Sequence, residues 1–268
     1  MKVPLIRPAS TVMLVRAAQA AGGLEVLMLR RSASSAFAPD AHVFPGGVVE
    51  PQDSREEVLA RIDGLNDARL ARMFRAQPTA LLDAPPLQPI RDADRAALVV
   101  AGLRELFEEG GILLGVPPTA APDPRDLKRA REQLLRGSYD FARILQELDL
   151  RLDASRIELF SQWITPASEV RRFNAHFFVA PADRQAAVAD HHETHDELWI
   201  APKSALQQHQ AGSFAMVYPT IKHVERLLPF GSVDELMRFA HEKPILRIMP
   251  DRSDADGFSL PSELERAW

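Results

Sequence analysis

The segment that decides the fold reads Arg104-Glu105-Leu106-Phe107-Glu108-Glu109-Gly110-Gly111-Ile112. The run before it, 94–103, is rich in Ala, Leu and Val and has no proline, which favours a helix. At about 3.6 residues per turn, Glu105, Glu108 and Glu109 lie on one face of that helix. The glycine pair that follows predicts where the helix ends.

Three carboxylates on one helix face repel one another and weaken the helix unless a positive charge lies between them. A hard divalent cation such as Mg2+ or Mn2+ prefers oxygen ligands and would reverse that effect. The other interpretation of these three residues, taken alone, is an acidic face in contact with solvent.

The order of the residues favours the metal site. The pattern R-E-apolar-x-E-E-x-G-apolar is the second half of the Nudix box, and residues 104–112 match every fixed position. Residues 42–53 resemble the first half, with Gly46-Gly47 in place and Asp53 where the family has glutamate. Residues 54–103 separate the two halves, where the family pattern has about seven residues. The chain therefore resembles a Nudix hydrolase with a split box.

This resemblance implies an α/β fold, namely the Nudix α/β/α sandwich with a mixed sheet, a helical insertion inside the box and extra C-terminal helices. We expect one Nudix domain at 1–245, with box halves at 46–53 and 104–112, an insertion at about 54–97 and a C-terminal tail at 246–268.

Hydrophobic periodicity predicts the individual elements. A hairpin is expected from two strands that meet through Gly22-Gly23. A helix is expected from Ser54 through Leu70, followed by a proline-rich loop at 78–89. The other predicted strands are 157–164, 173–179 and 197–200, and the other predicted helices are 126–135, 139–148, 204–210, 219–227 and 233–241.

The resemblance also implies roles for individual residues. Arg104 would orient the adjacent catalytic Glu105. The metal ligands would be Glu105, Glu108 and Glu109, with the backbone carbonyl of Gly46. Nudix enzymes usually add a carboxylate from a downstream loop.

For that downstream carboxylate we prefer Glu193, as both metal ligand and catalytic residue, with Glu197 as the second choice. The histidines of the same segment suggest an alternative zinc site, because imidazole is a common zinc ligand. They are His191, His192 and His195.

The approach to the box, 31–47, resembles the long-insertion branch called the nineteenth mammalian Nudix type, which consists of coenzyme A diphosphatases. This implies that coenzyme A or acyl-CoA is cut to (acyl-)4′-phosphopantetheine and adenosine 3′,5′-bisphosphate. Arg30 and Arg31 would contact substrate phosphates, because guanidinium matches phosphate geometry. The alternatives are a Nudix hydrolase for ADP-ribose or NADH, and a Nudix module that senses a nucleotide without cutting it.

Composition excludes several other classes of protein. The formal net charge of −5 gives no general attraction for nucleic acid, and no apolar run approaches the length of a membrane span. The absence of cysteine excludes disulfides and thiolate chemistry and fits the reducing cytoplasm, where we expect the protein.

The final tripeptide, Arg266-Ala267-Trp268, is not a peroxisomal signal. Many Nudix hydrolases are dimers, which leaves a homodimer open.

Overall fold

A computed structural model describes residues 5–18, 22–34, 38–76, 90–116, 122–182, 194–253, 257–260, 264 and 268, with backbone alone at 116, 194–197 and 252–253. The strands are β1 Ile6–Ala17, β2 Leu24–Arg31, β3 His42–Val43, β4 Gly46–Val48, β5 Ile62–Asp63, β6 Gly115–Val116, β7 Arg151–Asp153, β8 Glu158–Ile164, β9 Arg172–Pro181, β10 Thr194–Ile200, β11 Arg247–Ile248, β12 Asp251–Ser253 and β13 Gly257–Ser259. The helices are α1 Glu56–Leu59, α2 Asp67–Met73, α3 Asp92–Gly110, α4 Pro124–Leu135, α5 Phe141–Glu147, α6 Pro202–Gln210, α7 Tyr218–Leu227 and α8 Val233–Glu242.

The central sheet is mixed, as expected. Its strand order within the described residues is β10-β2-β1-β9-β8-β11, with β3 paired to β2 and β4 paired to β1. The β1–β9 and β8–β11 pairs are parallel, whereas the other pairs of this sheet are antiparallel. Gly46 and Gly47 pair with Thr11 and Ser10, so the glycine pair is the strand next to β1 rather than a free turn.

Alternating side chains of β1 separate two hydrophobic layers, because successive strand residues point to opposite faces. Val12 and Leu14 pack in a cluster with residues of α3, whereas Met13 and Val15 pack in a second cluster with residues of α7 and α8. Helices therefore cover both faces of the sheet, and the predicted α/β/α sandwich is confirmed.

A glycine in α3 allows this helix to pack closely against β1. A Cβ atom added at Gly102 would stand 3.1 Å from Val12 Cγ2, and Ser10 Oγ donates a hydrogen bond to the carbonyl of Leu98 at 2.6 Å. These contacts place the helix directly beneath β1 and next to β4, which positions its last two turns beside the glycine pair.

The predicted hairpin is confirmed, but the predicted helix from Ser54 to Leu70 is wrong. Two short helices, α1 and α2, flank a strand, because Ile62 and Asp63 pair with β7 instead of continuing the helix. Gly64 then turns the chain with φ 73°, in tight contact with the backbone of Ser155, and Asn66 restarts helix by accepting a hydrogen bond from Arg69 N at 2.9 Å. The proline-rich part of the insertion, 78–89, lies outside the described residues.

A buried carboxylate on the central sheet binds the described part of the insertion through hydrogen bonds. Glu158, on β8, accepts hydrogen bonds from Arg72 at 2.9 Å and from Arg69 at 3.2 Å. Past the predicted domain boundary, β11 still adds to the central sheet by pairing with β8, and Trp268 is buried. Among the described helices, none is both long enough and apolar enough to span a bilayer.

A buried histidine on β9 provides a test of the packing beneath α2. His176 is 1% exposed, and its ring centroid lies 5.9 Å from that of Phe74. Neither ring nitrogen has a hydrogen-bond partner of normal geometry among the described residues, although backbone groups of Ala9 and Asn174 lie nearby. Burial lowers the pKa of His176 from 6.5 to about 4, although nearby backbone groups oppose the shift. The unfolded chain therefore binds a proton in this range that the folded chain does not, so stability falls as pH falls from 6.5 to about 4.

We expect His176→Leu to raise the free energy of unfolding by about 1–2 kcal/mol near neutral pH, because an unsatisfied buried polar group is removed. The loss of stability toward acidic pH should also become smaller. Urea denaturation at about pH 7 and about pH 5 measures both effects. A variant that is less stable than the original protein at both values would show that the ring has an unseen favourable contact.

Candidate active site

Arg104 connects the two halves of the box. Its side chain is 1% exposed. It donates hydrogen bonds to both oxygens of Asp53 at 2.8 and 3.2 Å, to Glu105 at 2.9 Å, to Glu108 at 3.0 Å and to the carbonyl of Val48 at 3.0 Å. Arg104 is therefore not a surface residue with one ion pair on its own helix, but the centre of a buried cluster.

Asp53 is the acidic partner of Arg104 from the first half of the box. It is 0% exposed and sits in a 3-10 turn at Pro51–Ser54, where it also accepts the backbone N–H of Glu50 at 2.8 Å. Burial raises the pKa of Asp53, and the hydrogen bond and charge of Arg104 oppose this. The shorter side chain of aspartate thus forms a bidentate pair with Arg104, and the long insertion does not separate the two halves in space.

The Glu105 side chain packs against β4, the strand that contains Gly46 and Gly47. A Cβ atom added at Gly47 would collide with both carboxylate oxygens of Glu105, the farther one at 2.8 Å, so a side chain at position 47 would displace this carboxylate. Burial raises the pKa of Glu105 to about 8, although the charge of Arg104 opposes the rise.

The other two glutamates of the helix face the same region. Glu109 is 5% exposed, and its Oε2 accepts the backbone N–H of Gly46 at 2.8 Å. Glu108 is more accessible than its neighbours, and burial raises its pKa while Arg104 opposes the shift. The three glutamates and the glycine pair therefore meet at one place, as the motif predicted. Their roles, and that of the Gly46 carbonyl, remain predictions.

A residue that the motif does not contain holds the end of α3. Arg131, on α4, is buried and donates hydrogen bonds to the carbonyls of Phe107, Glu108 and Glu109 at 2.8–3.1 Å. Gly111 ends the helix with φ 63°. A cation at the C-terminus of a helix is stabilising, and here it fixes the turn that carries two box glutamates. Sequence spacing offered no sign of this contact, because it joins two helices.

A cleft of about 1550 Å³ opens beside the glutamates. It exceeds the roughly 300–1,000 Å³ usual for small-ligand sites, so it suits a long ligand. The box residues along it are Gly46, Gly47, Glu105, Glu108 and Glu109. Alternate residues of β1 and β9 also line it, namely Arg7, Ala9, Thr11, Phe173, Ala175 and Phe177.

The two arginines predicted to contact substrate have different surroundings. Arg31 lines the cleft. Arg30, its neighbour on β2, pairs with Asp40 at 3.0 Å and is not among the described lining residues. Adjacent strand residues point to opposite faces, so the geometry favours Arg31, and both assignments remain predictions.

The predicted downstream ligands fall outside the part of the chain that the structure describes. Glu193, His191 and His192 lie outside the described residues, and so do the side chains of Glu197 and His195. The catalytic role of Glu193 and the alternative zinc site therefore remain predictions.

The described carboxylates do not form a closed metal cage. Within the part of the chain that the structure describes, no three His, Cys, Asp or Glu side chains converge closely enough to hold an ion. Glu105 and Glu108 are instead bound to Arg104, and Glu109 is bound to Gly46 N. The atoms that these glutamates could offer to a metal are all carboxylate oxygens, and they border a cleft. Mg2+ and Mn2+ prefer oxygen ligands, so the ligand atoms of the site fit either ion.

We expect Gly47→Ala to lower kcat/KM by about 100-fold, because the added methyl group displaces the Glu105 carboxylate and an active site tolerates small displacements poorly. Steady-state kinetics measures this loss. Gly231→Ala is the matched control, since a Cβ atom there would have its nearest contact at 3.5 Å, with Glu235. Equal activity of the two variants would contradict the tight contact between Gly47 and Glu105.

The chain is similar to known proteins over most of its length. The family described as NUDT19 Nudix domain matches residues 6–227. Acyl-coenzyme A diphosphatase NUDT19 of Xenopus laevis is 28% identical over 238 residues, which cover 80% of this chain and 62% of that protein. The human protein of the same name is 27% identical over 247 residues, which cover 82% of this chain and 64% of that protein. The chain thus spans less than two thirds of the length of these relatives.

A solved structure supports the fold. The crystal structure of a NUDIX hydrolase from Alicyclobacillus acidocaldarius aligns with a TM-score of 0.67 at 24% identity, covering 88% of this chain and 97% of that chain. The family match runs from the start of β1 to the end of α7 and so includes both halves of the box. This chain belongs to the NUDT19 Nudix domain family.

Proposed function

We propose that this protein hydrolyses the diphosphate bond of coenzyme A or acyl-CoA, giving (acyl-)4′-phosphopantetheine and adenosine 3′,5′-bisphosphate. The observation that carries the proposal is the meeting of Glu105, Glu108 and Glu109 with the glycine pair at the wall of one large cleft. The choice of substrate rests on relatives named acyl-coenzyme A diphosphatase.

The reaction needs positive charge at the glutamates, since bare carboxylates repel a diphosphate. Glu105, Glu108 and Glu109 would hold Mg2+ or Mn2+, with Gly46 and Glu193 as further predicted ligands. When bound, the metal supplies charge that neutralises phosphate oxygens and acidifies the attacking water.

The residues of the chain have separable tasks in this proposal. Arg104 holds Glu105 in one orientation through the 2.9 Å hydrogen bond and is itself held by Asp53. Glu105 and Glu193 are the two candidates for accepting the proton of the attacking water. Arg131 keeps the last turn of α3 in place. Arg31 lines the cleft, and in this proposal it would contact a substrate phosphate.

The experiment is incubation of the protein with coenzyme A or acyl-CoA and either Mg2+ or Mn2+, followed by chromatographic identification of the products. We expect both named products, and none in the presence of a chelator. Turnover of ADP-ribose or NADH without turnover of coenzyme A would support a different Nudix hydrolase. Nucleotide binding without turnover of any of these compounds would support a sensing module.

A further inference from the structure

Two arginines stand together at the end of the cleft that lies away from the glycine pair. Arg7 is on β1, four positions before Thr11, which pairs with Gly46. Arg171 immediately precedes β9, whose first residue, Arg172, pairs with Ile6. Arg7 pairs with Phe173, two residues after Arg171, so Arg7 and Arg171 lie diagonally on the same face of the sheet, and both line the cleft that holds the box glutamates.

Neither arginine has a visible structural task. Both side chains are exposed, and neither forms an ion pair or a side-chain hydrogen bond within the described residues. Arg55, another arginine of the cleft, differs because it pairs with Asp140. Two acidic residues also line the cleft near this pair, namely Glu169, two residues before Arg171, and Glu50, which follows β4 beside β1.

An aromatic side chain lies next to the arginine pair. Phe173 is the direct partner of Arg7 in the β1–β9 pairing, is only partly buried, and lines the cleft. Base stacking on an aromatic ring is favourable for any nucleobase. Guanidinium groups bind phosphate through paired charge-assisted hydrogen bonds. The combination suits a phosphate monoester close to a nucleobase.

The register of β1 separates Arg7 from the glycine pair of the box. Four residues along a strand correspond to about 13 Å, so the Cα atom of Arg7 lies about that far from the Cα atom of Thr11. The anionic groups of coenzyme A are its diphosphate and the phosphate on the ribose 3′ position, while its pantetheine arm is uncharged. If the diphosphate lies at the metal site of the box glutamates, the remaining anion that can reach the arginine pair is the 3′-phosphate.

We propose that Arg7 and Arg171, with Phe173 beside them, form a subsite for the 3′-phosphorylated adenosine of coenzyme A. The inference rests on the function proposed above and adds the part of the substrate that sets specificity. It makes the 3′-phosphate the group that distinguishes coenzyme A from ADP-ribose and NADH, which lack it.

The test compares coenzyme A with 3′-dephospho-coenzyme A, which differ only in that phosphate. For the original protein, we expect kcat/KM to be about 10- to 100-fold higher for coenzyme A. In the double variant Arg7→Gln, Arg171→Gln, the ratio should fall close to one, through a higher KM for coenzyme A. Turnover of the dephospho compound should change much less than turnover of coenzyme A, because that compound lacks the phosphate that the arginines would bind. Added salt should also reduce the preference of the original protein, since both arginines are exposed.

Arg129→Gln is the control, because Arg129 is an exposed arginine of α4 with 72% of its side chain accessible. It should keep the original preference. An unchanged ratio in the double variant would overturn the subsite, and so would an original protein that cuts both substrates equally well.

A binding measurement separates failure of the subsite from failure of the proposed function. Calorimetry should show tighter binding of adenosine 3′,5′-bisphosphate than of adenosine 5′-monophosphate, and the double variant should lose the difference. If the protein cuts neither coenzyme, this difference alone supports the subsite while the proposed reaction fails. Equal binding of the two nucleotides would overturn the subsite whatever the protein hydrolyses.

Discussion

Glu109→Gln is expected to lower kcat/KM by on the order of 100- to 1,000-fold while the protein stays folded. The substitution removes one negative charge from the proposed metal site. It keeps the size of the side chain, and the amide oxygen can still accept the hydrogen bond that Gly46 N now donates to Glu109 at 2.8 Å. The loss should therefore be one of activity and metal affinity, with little change in the melting temperature.

The measurement is kcat/KM over a range of metal concentrations, together with thermal unfolding in the presence and absence of metal. Glu132→Gln is the matched control, because Glu132 is an exposed glutamate of α4. Near-normal turnover of Glu109→Gln at saturating metal would refute the assignment of Glu109 as a ligand.

Arg104→Met is expected to lower the free energy of unfolding by about 3–5 kcal/mol, because it leaves a buried charge without its partner. Asp53 is 0% exposed and accepts two of the five hydrogen bonds that Arg104 donates. When the guanidinium is lost, the Asp53 carboxylate stays buried and has no access to water. Glu105 and Glu108 would also lose their shared donor, and activity should fall with stability.

Two further variants separate the effects on stability and activity. Adding Asp53→Asn to Arg104→Met removes the orphaned charge and should recover part of the stability, but it should not restore turnover. Arg104→Lys keeps the positive charge but cannot form the paired contact with Asp53, so it should be intermediate in both properties. Urea denaturation and steady-state kinetics measure these outcomes. A fully active Arg104→Met protein would show that the cluster is structural only.

The fold was predictable wherever the pattern in the sequence was local. The hairpin, α3 and the helices after the box follow from periodicity and from glycine and proline positions. The helix from Ser54 to Leu70 was wrong because Ile62 and Asp63 pair with β7, which lies about 90 residues later in the chain. Local spacing carries no information about such a partner, and tertiary pairing outweighs helix propensity.

The site shows the same division. The motif order indicated that Glu105, Glu108 and Glu109 would share a helix face near Gly46, and they do. It did not indicate that Arg131 would bind the end of that helix, or that Gly47 would touch Glu105. The role of Glu193 stays a prediction.

By itself, the sequence determined the helix that gathers three carboxylates, the family and the α/β class, because these depend on residue order and on spacing within a few turns. Tertiary structure alone decided that Asp53 pairs with Arg104 across the insertion, and that Arg7, Arg171 and Phe173 share one end of the cleft. The physical reason is that sheet register and long-range packing set the distances between residues far apart in the chain, and no local pattern encodes them.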